Sequence, residues 1–278
     1  MMPPLLELKN LRVSFPGPRG PVEVVSGVSF DLGRERLGIV GESGSGKSLT
    51  GRSILRLLRP PAKVSVDRLR FDGADLLAMS EREMRQVRGA RISMVMQDPR
   101  YSLNPVMTVG DQIAEALKVH ERIPRREVRE RVMDMLDKVR IHDPERVMKL
   151  YPHEVSGGMG QRVMIAMMLI PKPDILIADE PTSALDVSVQ AQVLDLIEEM
   201  IAEYGMGLIL ISHDLDLVAR YCDRVLVMNQ GEVVEELEAG GLHRAQHPYT
   251  RALLESVPRI DETRKVLPVM DRGAGVGT

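Results

Sequence analysis

The chain has 278 residues, of which 44% are hydrophobic and 28% charged, with a formal net charge of −3. That composition suits one large α/β domain with a small appendage, excludes a disordered chain, and provides no positive field to attract nucleic acid. The single cysteine, Cys222, excludes a disulfide framework or multi-cysteine metal site within one chain and is expected as a small buried thiol.

No apolar run approaches the roughly twenty residues a membrane-spanning helix needs. Met1-Met2-Pro3-Pro4 lacks a basic start followed by an apolar core, so no signal peptide is expected. Leu6–Phe15 alternates apolar and polar residues and reads as a strand. The cluster Pro16–Pro21 reads as a turn, and Val22–Leu32 as further strand closing a small antiparallel sheet. Leu37–Val40 is a short buried strand running into a glycine-rich segment, and Leu49–Leu58 has helical spacing that ends before Pro60-Pro61. Arg91–Met96 is a strand candidate. Val109–Leu117 and Val128–Val139 read as amphipathic helices, and Val163–Leu169 as a helix core. Ile175–Ala178 and Leu208–Ile211 are continuous apolar runs, as in parallel strands buried on both faces. Val189–Ile201 and Leu215–Tyr221 read as helices, and Val225–Met228 with Val233–Glu235 as a hairpin around Asn229-Gln230-Gly231. Strands alternating with helices predict a mostly parallel sheet covered on both sides.

Two segments carry chemistry. Gly41-Glu42-Ser43-Gly44-Ser45-Gly46-Lys47-Ser48 spaces its glycines so that successive backbone N–H groups can turn inward onto phosphate oxygens, at the positive start of a helix. Lys47 would neutralise the β and γ phosphates of a nucleotide, and the Ser48 hydroxyl would hold Mg²⁺. The strand Ile175–Ala178 ends in Asp179 and Glu180, a charged pair that a buried strand rarely carries unless it meets a cation. Asp179 would meet Mg²⁺, and Glu180, pointing elsewhere, would polarise an attacking water as general base. Ser156-Gly157-Gly158 opens a helix and offers hydroxyl and backbone donors for a further phosphate contact.

The order of these segments strongly resembles the nucleotide-binding subunit of ABC transporters across roughly residues 5–235. The resemblance adds Gln97 as the Q-loop glutamine, Ser156-Gly157-Gly158 as the signature motif, Ser183-Ala184-Leu185-Asp186 as the D-loop and His213 as the switch histidine. It implies a P-loop NTPase fold of the RecA-like kind, with an N-terminal antiparallel β subdomain and an inserted α-helical subdomain at about 98–158. ATP and Mg²⁺ are the implied ligands, and ATP hydrolysis the implied activity. Two such subunits, identical or different, would pair head to tail, so that Ser156-Gly157-Gly158 of one complete the site held by the phosphate loop of the other, and Asp186 of the D-loop is a further expected nucleotide-binding residue. His213 would contact the γ-phosphate, and Gln97 would sense Mg²⁺ and the water. An aromatic from the first sheet is expected to stack on adenine, with Phe15 the candidate because only Phe15 and Phe30 are aromatic there.

Gln97-Asp98-Pro99 with Ser102-Leu103-Asn104-Pro105, Tyr151-Pro152-His153-Glu154, and His247–Leu254 in the tail are similar to importers of the dipeptide, oligopeptide and nickel class. That narrower resemblance implies an ATP-binding domain over 1–235 and a C-terminal extension over 236–278. It implies membrane permease partners, an extracytoplasmic solute-binding protein acting indirectly, no nucleic acid, and a place on the cytoplasmic face of the inner membrane. Gly160 departs from the family pattern after the signature, and a weakly hydrolysing half of a heterodimer is the reading it would favour. A non-transport ATPase is the other alternative; it would usually bring coiled coils, zinc-binding cysteines or tandem ATPase domains, none of which this sequence has.

Overall fold

The computed structural model describes residues 3–96, 102–183 and 186–256. An antiparallel sheet is built from β1 (Leu6–Gly17), β2 (Gly20–Leu32), β4 (Lys63–Ser65), β5 (Arg68–Phe71) and β6 (Ala74–Asp75). Its order is β2-β1-β5-β6, with β4 also on β1. A second, six-stranded sheet contains β3 (Arg36–Val40), β7 (Ile92–Val95), β8 (Ile175–Asp179), β9 (Gly207–Ser212), β10 (Arg224–Asn229) and β11 (Glu232–Glu238) in the order β11-β10-β3-β9-β8-β7. All its pairings are parallel except the β10–β11 hairpin.

The apolar runs are continuous because both faces of this sheet are buried. Ile175, Ile177, Ile209, Ile211, Leu226 and Met228 face the core shared with the antiparallel sheet and with α1 (Lys47–Ile54). The residues between them, Leu176, Ala178, Leu208, Leu210, Val225 and Val227, face the opposite core. There the sheet meets the helices α6 (Gly157–Leu169), α7 (Val187–Tyr204) and α8 (Leu215–Tyr221). Between β7 and α6 lie α3 (Val109–Lys118), α4 (Arg125–Lys138) and α5 (Pro144–Val147), whose apolar sides join that same core. The last helix among the described residues, α9 (Pro248–Ser256), packs Tyr249, Leu253 and Leu254 against it as well. Cys222 is buried and unpaired with another cysteine, and burial pushes its thiol up to about 12.

One expected element needs correction. The helix expected to reach Leu58 ends at Ile54. Arg56 takes a left-handed backbone (φ 52°), its N–H returning to the Ser53 carbonyl at 2.9 Å while its guanidinium holds the Leu76 and Met79 carbonyls. The apolar residues beyond the stop continue the core contact without continuing the helix. Residues 62–88 also carry structure that no expectation covered: β4, β5, β6 and α2 (Glu81–Val87). In α2, Ser80 and Glu83 form a reciprocal cap, the Ser80 N–H donating to the Glu83 carboxylate at 2.7 Å.

Candidate functional site

Three adjacent parallel strands, β3, β9 and β8, finish side by side, with Val40 opposite Ser212 and Ile211 opposite Asp179. The residues that follow them converge at one edge: the loop at 41–48 after β3, Glu180 after β8 and His213 after β9. In an open α/β sheet this edge is where ligands bind.

The loop needs its glycines for two distinct reasons. Gly41 (φ 152°) passes so close to β10 that a Cβ would lie 2.1 Å from the Met228 carbonyl oxygen. Gly46 (φ 97°), immediately before α1, would place a Cβ 2.8 Å from the Val24 carbonyl oxygen. The loop is therefore clamped between β2 and β10 by backbone approach, which only glycine allows.

Lys47 turns back into the loop, its ammonium donating to the Gly41 carbonyl at 2.7 Å and the Glu42 carbonyl at 2.8 Å. It is 5% exposed. Burial pushes its ammonium down, and the carboxylates of Glu180, Asp179 and Glu42 pull it back up. The Ser48 hydroxyl donates to Asp179 Oδ1 at 2.7 Å. Burial pushes the Asp179 carboxyl up, against the Ser48 hydrogen bond and the charges of Arg52 and Lys47. Arg52, one turn along α1 from Ser48, reaches Asp179 Oδ2 at 3.8 Å.

Glu180 has a left-handed backbone (φ 47°), and its N–H donates to the Ile211 carbonyl at 2.9 Å. Strain of this kind in a non-glycine residue persists where surrounding contacts enforce it. The Glu180 carboxylate meets His213, whose Nδ1 lies 3.3 Å from Glu180 Oε1. Val24, Ser43, Gly44, Gly46, Lys47, Ser48, Leu49 and Glu180 line an open cleft of about 220 Å³. The cleft is lined by buried Lys47 and the Glu180 carboxylate together with Ser43, Gly44 and Gly46 of the loop at the start of α1. This donor set suits a phosphate chain.

Among the described residues no group of three or more His, Cys, Asp and Glu could hold a metal unaided. One hydroxyl and one carboxylate within hydrogen-bond distance, as at Ser48 and Asp179, fit Mg²⁺, which usually takes one or two protein oxygens and completes its shell with phosphate and water.

Of the other expected site residues that are described, Ser156, Gly157, Gly158, Asp186 and Phe15 do not line this cleft. Ser156 caps α6, its hydroxyl accepting the Met159 N–H at 3.3 Å. Ser156 and Gly158 line a separate cleft of about 860 Å³ with Arg140, His142, Arg146 and Arg162. Gly160 is buried within α6, which continues unbroken to Leu169. Asp186 precedes α7 and is exposed. Phe15 sits half-buried opposite Val22 and packs into the core between the sheets. It does not line the loop's cleft, whereas Val24 does. Gln97, like Asp98, Pro99, Ala184 and Leu185, lies outside the described residues.

Some neighbours of the site were not expected. Buried Gln161 donates its side-chain N–H to the Pro181 carbonyl, and Gln190 donates to the Thr182 carbonyl at 3.1 Å, fixing the chain beyond Glu180. The Tyr249 hydroxyl accepts the backbone N–H of Glu42 in the loop itself at 3.0 Å. Only the run Ser-Gly-Gly-Met-Gly-Gln-Arg marked Gln161 in sequence, and nothing marked the contact of Tyr249.

Residues 25–183 match the model of the ABC transporter family. The chain belongs to that family. It is an ATP-hydrolysing cassette, and the non-transport alternative is not favoured. The dipeptide transport ATP-binding protein DppD of Bacillus subtilis is 51% identical over 263 residues, spanning 94% of the cassette and 78% of that relative. DppD of Escherichia coli is 45% identical over 265 residues, spanning 95% and 81%. Among solved structures, the post-hydrolysis dimer of the ATP-binding cassette MJ0796 bound to ADP and Pi superposes with a TM-score of 0.75 at 25% identity, covering 85% of this chain and 99% of that one. No helix among the described residues is long and apolar enough to cross a membrane.

Proposed function

We propose that the cassette drives import of dipeptides or related peptides through membrane permease subunits, hydrolysing Mg²⁺-ATP in the cleft between Lys47 and Glu180. Identity of 45–52% to dipeptide and peptide transport ATP-binding proteins, over nine-tenths or more of the chain, supports the peptide class. The observation that carries the chemistry is the placement of Lys47, Ser48, Asp179, Glu180 and His213 around one strand edge.

The loop N–H groups and Lys47 bind the β and γ phosphates. To do so Lys47 exchanges two carbonyl partners, Gly41 and Glu42, for phosphate oxygens. Ser48 and Asp179 would hold Mg²⁺, which would neutralise charge on the phosphates, and Gln97 is a further candidate ligand from the sequence. A water attacks the γ-phosphorus and gives its proton to the Glu180 carboxylate as the bond to the β-phosphate oxygen breaks, leaving ADP and phosphate. His213 orients Glu180 and contacts the γ-phosphate from the next strand.

The separation of the Ser156–Gly158 cleft from the Lys47 cleft supports a second cassette, identical or related, supplying its signature residues and Asp186 across an interface. Phe15 and Val24 are the candidates for the adenine contact. Residues 1–235 act as the ATP-binding domain and 236–278 as its extension, working at the cytoplasmic face of a membrane with a solute-binding protein on the far side.

Steady-state ATP hydrolysis by the purified protein tests this reading. Glu180→Gln should lower kcat by about 100-fold or more while ATP binding is retained, the size expected for losing a general base. Unchanged hydrolysis in that variant removes Glu180 from the mechanism.

A further inference from the structure

The C-terminal helix reaches the phosphate loop. Tyr249 stands in the first turn of α9, 207 residues from its hydrogen-bond partner Glu42. Its placement is set by rigid neighbours. The Glu235 carboxylate on β11 accepts the N–H groups of Gln246 at 2.6 Å and His247 at 3.2 Å, and the Tyr249 N–H donates to His247 Nδ1 at 3.2 Å. The ring packs, half-buried, against the core beneath the parallel sheet.

The bond has a specific consequence for Lys47. The N–H of Glu42 and the carbonyl of Gly41 belong to one planar peptide, and in a trans peptide they point in opposite directions. On one side the Gly41 carbonyl accepts the Lys47 ammonium at 2.7 Å, and on the other the Glu42 N–H donates to Tyr249 at 3.0 Å. This single peptide is therefore tethered at both ends. When a phosphate draws Lys47 away, the first tether is released and the second remains. Gly41 has a positive φ of 152° and no room for a Cβ, which would lie 2.1 Å from the Met228 carbonyl oxygen.

We propose that Tyr249 is a positioning residue for the nucleotide: its hydroxyl holds the Gly41–Glu42 peptide in the orientation that keeps the phosphate loop open-armed as Lys47 changes partners. The C-terminal extension is thereby a structural part of the ATP site rather than an appendage to it. The proposal rests on the loop being the nucleotide site.

Tyr249→Phe removes only the hydroxyl. Equilibrium binding of Mg²⁺-ATP should weaken about 2- to 10-fold, the scale of one net hydrogen bond. KM should rise with it, while kcat at saturating ATP stays within about twofold because the bound phosphates then order the loop themselves. Tyr221→Phe, which removes the hydroxyl bonded to Asp195 at 2.7 Å on α7, is the control and should leave ATP affinity unchanged. Unchanged affinity in Tyr249→Phe overturns the proposal. So does an equal loss in both variants, or a lower kcat at unchanged KM, which would mark a merely structural contact. If the parent protein itself fails to bind Mg²⁺-ATP, the site reading falls and this inference with it; if the parent binds and Tyr249→Phe binds equally, only this inference falls.

Discussion

Asp179 is the residue where stability and function pull apart. It is 2% exposed, and burial holds its carboxyl above the usual range in spite of Ser48, Arg52 and Lys47. A carboxyl raised in the fold binds its proton more tightly there than in the unfolded chain. Its contribution to stability is therefore highest at low pH and falls as pH rises from about 4, the unfolded value, through the raised folded one. At neutral pH the ionised group is a cost that the unliganded fold carries for a cation. Asp179→Asn, which keeps an oxygen for the Ser48 hydroxyl, is expected to raise the melting temperature of the unliganded protein at pH 7 and to lose that advantage at pH 4. Thermal melts at the two pH values check this. A variant that melts below the parent at pH 7 would show that the charge is already compensated by Arg52.

At the scale of elements, the fit of helices against the parallel sheet depends on small residues at close crossings. Gly38 on β3 lies under α8, and a Cβ there would come within 2.0 Å of Val218 Cγ1 and 3.3 Å of the Cys222 sulfur. Gly38→Ala should cost about 1–3 kcal/mol in urea unfolding, the usual penalty of overpacking, and Val218→Ala in the same chain should recover part of it. A neutral Gly38→Ala would mean that α8 slides freely over the sheet. The same scale explains which elements the sequence disclosed. Ile175–Ala178 and Leu208–Ile211 stand out because two buried faces leave no polar residue in the run. The loop at 41–48 and the Asp179–Glu180 pair stand out because each is a local pattern at a strand end. By contrast β4, β5 and β6 span only two to four residues, too few periods for alternation to register, although Ser80 and Glu83 do announce the start of α2. Helix spacing past Ile54 misled because Leu55 and Leu58 serve the same core from either side of the turn at Arg56. The partnership of Tyr249 with Glu42 left no local trace, since it exists only once the chain ends are folded together.

Across the whole molecule, the proposed nucleotide cleft sits where the two sheets meet. Val24 comes from the antiparallel sheet, and the loop, Lys47 and Glu180 come from the parallel one. The loop is also tied to the C-terminal helix through Tyr249. A ligand that binds the folded chain and not the unfolded one adds its binding free energy to the stability of the fold. Ser156 and Gly158 line a different cleft, which is why the proposed function has a second cassette complete the site. The most direct test of this account is the melting temperature with and without saturating Mg²⁺-ATP, in the parent and in Lys47→Ala. At about a hundred times Kd the parent should gain about 2.7 kcal/mol, or about 5–10 °C, and Lys47→Ala should gain almost nothing. An equal shift in both proteins would contradict the account, because ATP would then be held somewhere other than the loop that Lys47 closes.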